Sequence, residues 1–380
     1  MPVDTAERTR PPALPTGDEE SNGTLGGERS FGRSWRVWAG VLISGVLLVY
    51  AFQGQSPAEI WDALRRFDSR WLLPALVLYF AGVWIRAVRW AVLLRPLVPV
   101  SVRDVLPIVV VGYTANNVLP LRTGELVRAY LVRRRFGVRK TAALATIAVE
   151  RLFDGLTMLG FIFAATTVIS LTAALQHLAL IAAAVFAAIL LGMVVLTLGG
   201  DFRDRLLQLA LGPLPPALAD RVERMAMSFL GGLGVLRRKG DLGLVGLTSI
   251  AAWGFEASMY WALARGFGGE VAAVMSVPAA LLTTGVANLA TLVPAAPGYV
   301  GTFEAGVTLA VTGALGVSRG LALSYAILVH AVLWFPITAA GAFVWWRLHL
   351  SVRQARQYDD ETEGRAAPVK PRPARPRVDE

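Results

Sequence analysis

The chain of 380 residues is 55% hydrophobic and only 17% charged, with mean hydropathy +0.53 and a formal charge of +10. That leaves too few charges for a water-soluble domain of this size, and the lack of any cysteine excludes disulfides, thiolate metal sites and a thiol nucleophile. The basic residues stand in loops beside apolar blocks, a pattern that points to anionic lipid and not to nucleic acid.

Residues 1–34 are polar and rich in Pro, Gly and Arg, and read as a disordered cytoplasmic tail with no cleavable signal peptide. Apolar blocks follow at 41–52, 71–94, 141–170, 173–198, 242–263, 271–293 and 321–346. Most reach the roughly 20 residues that a helix needs to cross about 30 Å of hydrocarbon. The expectation is an all-α, polytopic integral membrane helical bundle of about six to eight transmembrane helices. Its first half covers 35–200 and its second 241–350. Between them, 201–240 reads as a cytoplasmic amphipathic linker: Met225, Phe229 and Leu233 recur every four residues among Arg203, Arg205, Arg221 and Arg224. Residues 351–380, ending in a Pro/Arg tract, read as a second disordered cytoplasmic tail.

Within 71–94, Arg86 and Arg89 stand beside Trp84 and Trp90, and read as snorkelling anchors at the inner interface. The stretch 95–140 holds nine Lys/Arg against Asp104 and Glu125. Together with the basic 201–240 and C-terminal segments, it places both termini in the cytoplasm by the positive-inside rule, with the plasma membrane as the expected location. The loop 53–70 fits less well, since it should lie outside yet carries Arg65, Arg66 and Arg70.

Two segments do not read as ordinary spans. Residues 105–120 are short, polar at Asn116 and Asn117, and bounded by Pro107 and Pro120, which suggests a re-entrant element. Residues 287–304 are interrupted by Pro294, Pro297, Gly298 and Gly301. Such backbone must face protein or a wet cavity. Each segment has Ala-Asn, then Pro, Gly and Glu (Glu125, Glu304), and each lies in one half of the chain. Paired interruptions of this kind suggest an inverted repeat around a binding site.

Charged groups inside apolar helices cost at least about 2.5 kcal/mol each at mid-depth, so they are candidates for function. Glu150, Arg151 and Asp154 share the helix from Thr141; they read either as a head-group pocket or as a self-neutralising lock between helices. Asn117, Arg122, Gly124, Glu125 and Arg128 form a Pro/Gly-framed corner whose amides and arginines suit an anion, or else a plain basic loop. Glu256 has no cation near it in sequence, so it either pairs with one of these arginines or faces water. His330 reads as a satisfied core histidine. No nucleophile–base pair, metal spacing or phosphate loop stands out, and neither cofactor nor metal is expected.

At these residues the chain resembles a family. NNVLPLRTGELVRAYLV, ATIAVERLFDGL and VPAAPGYVGTFEAGV are similar to three signatures of flippase-like membrane proteins related to the lysylphosphatidylglycerol synthase transmembrane region. The resemblance, over roughly 35–350, implies a protein that moves a lipid between leaflets, an aminoacylated phospholipid or a lipid-linked sugar. It implies function at Asn117, Arg122, Gly124, Glu125, Arg128, Glu150, Arg151, Asp154, Pro294, Gly298, Gly301 and Glu304, with Tyr299 standing where a small residue is expected. Family members with synthase activity carry a large soluble transferase domain; with only a short tail after Arg347, that activity is not expected here. The expected partners are membrane lipids, and a separate synthase or glycosyltransferase if the chain acts as a scaffold. A membrane-embedded transferase is the third reading. Without an ATP-binding loop, movement would be gradient-driven, proton-coupled through Glu125, Glu150 or Asp154, or equilibrating.

Overall fold

The computed structural model describes residues 35–347, apart from 120–122 and parts of 199–214. The expected tails 1–34 and 351–380, together with Arg122, Arg203 and Pro120, lie outside the described residues. In chain order the helices are α1 (Trp35–Phe52), α2 (Pro57–Arg65), α3 (Leu72–Leu94), α4 (Val102–Val118), α5 (Gly124–Phe136), α6 (Lys140–Thr166) and α7 (Ala173–Leu198). Then come α8 (Pro216–Gly232), α9 (Lys239–Phe267), α10 (Gly269–Val274), α11 (Val277–Ala290), α12 (Thr302–Gly313) and α13 (Arg319–Arg347).

Four of these, α3, α7, α9 and α13, are long and apolar enough to cross a membrane, or five if α1 and α2, bent by 82°, count as one span. The 27-residue α6 would reach about 40 Å, but its mid-helix Glu150, Arg151 and Asp154 make it too charged to qualify on composition. The protein is therefore a multi-pass membrane protein built only of helices among its described residues.

The expected re-entrant element at 105–120 is larger than the sequence suggested. Pro107 is accommodated inside α4, which runs unbroken from Val102 to Val118. The 13-residue α5 packs back against α4, so the unit is a pair of short helices. Ser101 caps α4 by accepting the Asp104 N–H, and Gly137, at φ 71°, ends α5 in the left-handed region where a Cβ would be strained. The second unit is α11 and α12, of 14 and 12 residues, separated by a break that contains a single 3-10 turn at Pro297–Tyr299.

Each half thus reads long helix, short pair, long helix: α3-α4/α5-α6 and α9-α11/α12-α13. The packing respects that correspondence: α4 lies against α13 as α11 lies against α6, and α3 meets its counterpart α9 along its length. Arg95 reaches Asp241 at one end of the α3–α9 contact (3.0 Å), and Trp71 meets Trp261 at the other (centroids 6.0 Å apart), so the two run antiparallel. Corresponding helices that run in opposite directions make the repeat inverted. Small residues allow the approach. A Cβ on Gly82 would sit 3.1 Å from the Ala252 carbonyl, and one on Gly124 would strike the Gly112 carbonyl.

Outside the repeats, α1 braces the second break, with the Ser44 hydroxyl accepting the Ala296 N–H at 2.7 Å. The linker does not lie free. Leu233 and Val235 are fully buried and Gly232 abuts the Ala142 carbonyl of α6, while Met225 remains exposed, so only the C-terminal part of the expected apolar face is packed.

Candidate functional site

Two ionic clusters and a hydrogen-bonded dyad surround a central cavity of about 130 Å³ between the halves. The first cluster is set on α6. Glu150, 1% exposed, receives both guanidinium nitrogens of Arg128 from α5 (3.0 and 2.7 Å), one from Arg151 (2.7 Å), and stands 3.4 Å from Arg89 of α3. Asp154 accepts from Arg89 (2.6 Å) and from the Trp253 indole (2.7 Å), and lies 3.3 Å from Arg151. Arg89 also donates to the Ser249 hydroxyl (2.9 Å).

In the second cluster, Arg86 of α3 meets Glu256 of α9 at 2.6 Å and stacks over the Trp253 ring, 4.3 Å from its centroid. Asn288, at the end of α11, donates to the other Glu256 oxygen (3.3 Å). Glu256 therefore has its partner, and that partner is one the sequence had assigned elsewhere. Arg86, Arg89 and Trp90 are buried at 5%, 0% and 0%, not snorkelling; only Trp84, 47% exposed, faces outward. Arg86 lies two turns inside α3, about 12 Å from its end, too deep in a packed interface to reach water easily. Carboxylate arithmetic held the clue: Glu150, Asp154 and Glu256 outnumber Arg151 inside the apolar blocks, so other buried cations were needed.

Including Glu125, 3.5 Å from Arg151, four arginines face four carboxylates, and the network is neutral as a whole. Its parts differ in freedom. Arg128 is 3% exposed, held by Glu150 and stacked on Trp90 at 4.0 Å; the Gly124 N–H is taken by the Asn116 side chain (2.8 Å). Within the corner expected to bind an anion, Arg128 and the Gly124 amide are thus engaged internally. Arg151 and Glu125 are the open members, with side chains 30% and 27% exposed and the longest contact of the set between them. Arg151, Asp154, Arg86, Glu256 and Asn117 line the cavity; Glu125, Arg128 and Glu150 are not among its lining residues.

The second break closes the cavity from the other side. Gly298 (φ 72°) packs against Trp334 and the Asn117 carbonyl, bringing the ends of both short pairs together. Gly301 (φ 91°) starts α12, its N–H donated to Glu304 at 2.7 Å, and a Cβ there would come within 2.7 Å of the Ser44 carbonyl. Tyr299, where a small residue was expected, itself adopts φ 61°, a sparsely populated conformation for a bulky side chain. Pro294 lines a neighbouring cavity of about 200 Å³ with Asn116 and Leu119, and Asn116 and Tyr299 border both spaces. His330 of α13 binds both Glu304 (2.5 Å) and the Gly298 carbonyl (2.8 Å); it is satisfied, as read from sequence, but it also forms part of the cavity wall.

Apolar and aromatic walls complete the space: Trp253, Phe303, Trp334 and Tyr113 face it alongside the amides Asn116 and Asn288. Such a site can hold a polar, partly charged group of modest size out of contact with hydrocarbon.

Residues 37–341 match the family model of the lysylphosphatidylglycerol synthase TM region. The chain is similar to a protein named glycosyltransferase AglD from Haloferax volcanii, at 26% identity over 359 residues, which cover 87% of this chain but 57% of that protein. It is also similar to a UPF0104 membrane protein of Methanothermobacter thermautotrophicus, at 25% identity over 303 residues, covering 75% of this chain and 87% of that one.

Proposed function

The chain belongs to the family of the lysylphosphatidylglycerol synthase transmembrane region, and on that premise we propose that it carries a lipid head group between leaflets through the cavity between its inverted halves. The observation that carries this reading is the partly open Arg151–Glu125 contact at the edge of an otherwise closed, neutral ionic network. A phosphate or phosphodiester entering the cavity takes the Arg151 guanidinium from Glu125, its weakest partner, while Glu150 and Asp154 keep the arginine oriented. The acyl or prenyl tails stay in the bilayer. Inverted repeats supply the two equivalent arrangements that alternating access requires. The protein acts as a transporter in this reading, not as a catalyst, and resides in the plasma membrane with both termini cytoplasmic.

The test is translocation in proteoliposomes. A panel of head-group-labelled lipids, including phosphatidylglycerol, its aminoacyl ester and a polyprenyl-phosphate sugar, is offered to wild type, Arg151→Ala and Glu125→Ala. Movement of one class by wild type, slowed at least about tenfold in folded Arg151→Ala, supports the reading. A folded wild-type protein that moves none of them overturns it.

One observation favours a second reading. The name of the AglD relative denotes a glycosyltransferase, and this chain spans just over half of its length. If the chain instead supports a separate glycosyltransferase without moving lipid, that enzyme co-purifies with it and loses activity when it is removed.

A further inference from the structure

The contacts of His330 constrain where a proton must sit. The Gly298 carbonyl, 2.8 Å from Nε2, can only accept, so Nε2 carries a hydrogen. Nδ1 lies 2.5 Å from Glu304 Oε1, and the other Glu304 oxygen is occupied by the Gly301 N–H at 2.7 Å. Two bare lone pairs would repel at that separation, so one proton lies between Nδ1 and Oε1, whichever atom it is drawn on. The pair therefore holds one releasable proton and is neutral while it does. It joins three pieces: α13 through His330, the break through Gly298, and the start of α12 through Glu304. Its members are 9% and 6% exposed, and His330 borders the central cavity, which gives the proton an exit to water.

We propose that the Glu304–His330 pair is a proton-binding site that holds the second helix break closed and couples proton movement to transport; the coupling rests on the transport reading above. Loss of the proton to cavity water leaves a net negative charge and opposed lone pairs. The imidazole must then turn or change tautomer, and its hold on Gly298 is lost. The break is already strained at Tyr299, so it is the element that such a release would move.

The surrounding charges leave this proton as the mobile one. Across the cavity, Arg86 with Glu256 and Arg151 with Asp154 are ion pairs that neutralise each other. The phenols Tyr79, Tyr113 and Tyr260 reach the same region from α3, α4 and α9, and Tyr299 from the break itself. Among the described side chains, α1 and α11 bring the polar Ser44, Asn288 and Thr291, while Glu270 of α10 and the acids of α2 lie at the far, N-terminal end of α13.

The experiment uses the full chain in nanodiscs, labelled with 15N-histidine; it has three histidines, and His330→Gln assigns the signal. Across a pH scan, His330 should lose the shared proton in a single step, and Glu304→Gln, which removes the carboxylate that shares it, should move that step to lower pH. A fixed His330 signal throughout, or the same step in Glu304→Gln, overturns the proposal. The chain has no cysteine, so Thr302→Cys places a unique thiol at a buried position beside the break. Its labelling rate, divided at each pH by the rate in the same variant carrying His330→Gln, should rise several-fold past the step; an unchanged ratio overturns the release of the break.

In vesicles, one proton per head group lets one pH unit sustain about a tenfold leaflet imbalance, collapsing to equal distribution in Glu304→Gln. An imbalance that persists in Glu304→Gln overturns the coupling. Absence of any lipid movement by wild type counts against the transport reading, while the titration and labelling still decide the proton site.

Discussion

Replacing Glu256 by Gln keeps the shape of the α3–α9 contact and removes one charge of a pair whose side chains are 5% and 7% exposed. Arg86 would then remain ionised and buried, with an amide in place of the carboxylate that paired with it, beside Asn288 and the Trp253 face. Breaking a buried pair in this way costs about 3–5 kcal/mol, a factor of roughly 150 to 4,000 in the folding equilibrium. The cation–π contact with Trp253 is present before and after the change and does not offset it, so the expected net loss stays at about 3–5 kcal/mol. The double variant Arg86→Met, Glu256→Leu removes both charges and fills similar volume, and such replacements are often neutral or stabilising. It should unfold within about 1 kcal/mol of wild type yet transport nothing. Detergent-titrated unfolding of wild type, Arg86→Met, Glu256→Leu and the double variant measures the cycle, with Glu256→Gln and translocation assayed alongside. A loss below about 1 kcal/mol in Glu256→Gln, or a double variant as unstable as the sum of the singles, would refute the view of Arg86 and Glu256 as a mutually dependent desolvated pair.

Gly124→Ala should lose about 1–3 kcal/mol in the same assay, because its Cβ meets the Gly112 carbonyl and the Asn116 side chain, whereas Gly45→Ala, with open space around it, should be unchanged. Gly301→Ala should cost about 1–3 kcal/mol and slow transport, since φ 91° and the nearby Ser44 backbone both oppose a side chain. Ser249→Ala removes an acceptor from the fully buried Arg89 and should cost about 1–3 kcal/mol by unfolding, with lipid movement retained because Asp154 still orients the guanidinium.

The membrane class, the two interrupted segments and most charged groups of the site were legible in the sequence, because each is a local property. A run of apolar residues has one stable solvent, a Gly/Pro interruption breaks a helix wherever it lies, and a carboxylate in hydrocarbon demands an explanation by itself. The inverted relation of the halves was only hinted at by two degenerate Asn–Pro–Gly–Glu patterns; it became definite through the antiparallel contact of α3 with α9. Partnership was the part the sequence could not supply. Arg86 and Glu256 are 170 residues apart, and Arg89 and Asp154 are 65 apart. No local pattern shows that an arginine two turns inside a span turns inward to a carboxylate, not outward to head groups. His330 and Glu304 could each be satisfied in many ways; only the packing of α13 against the α12 start and the break places one proton between them. Solvent preference and backbone breaks are written residue by residue, whereas a desolvated charge takes its meaning from its neighbours, and the tertiary fold chooses those.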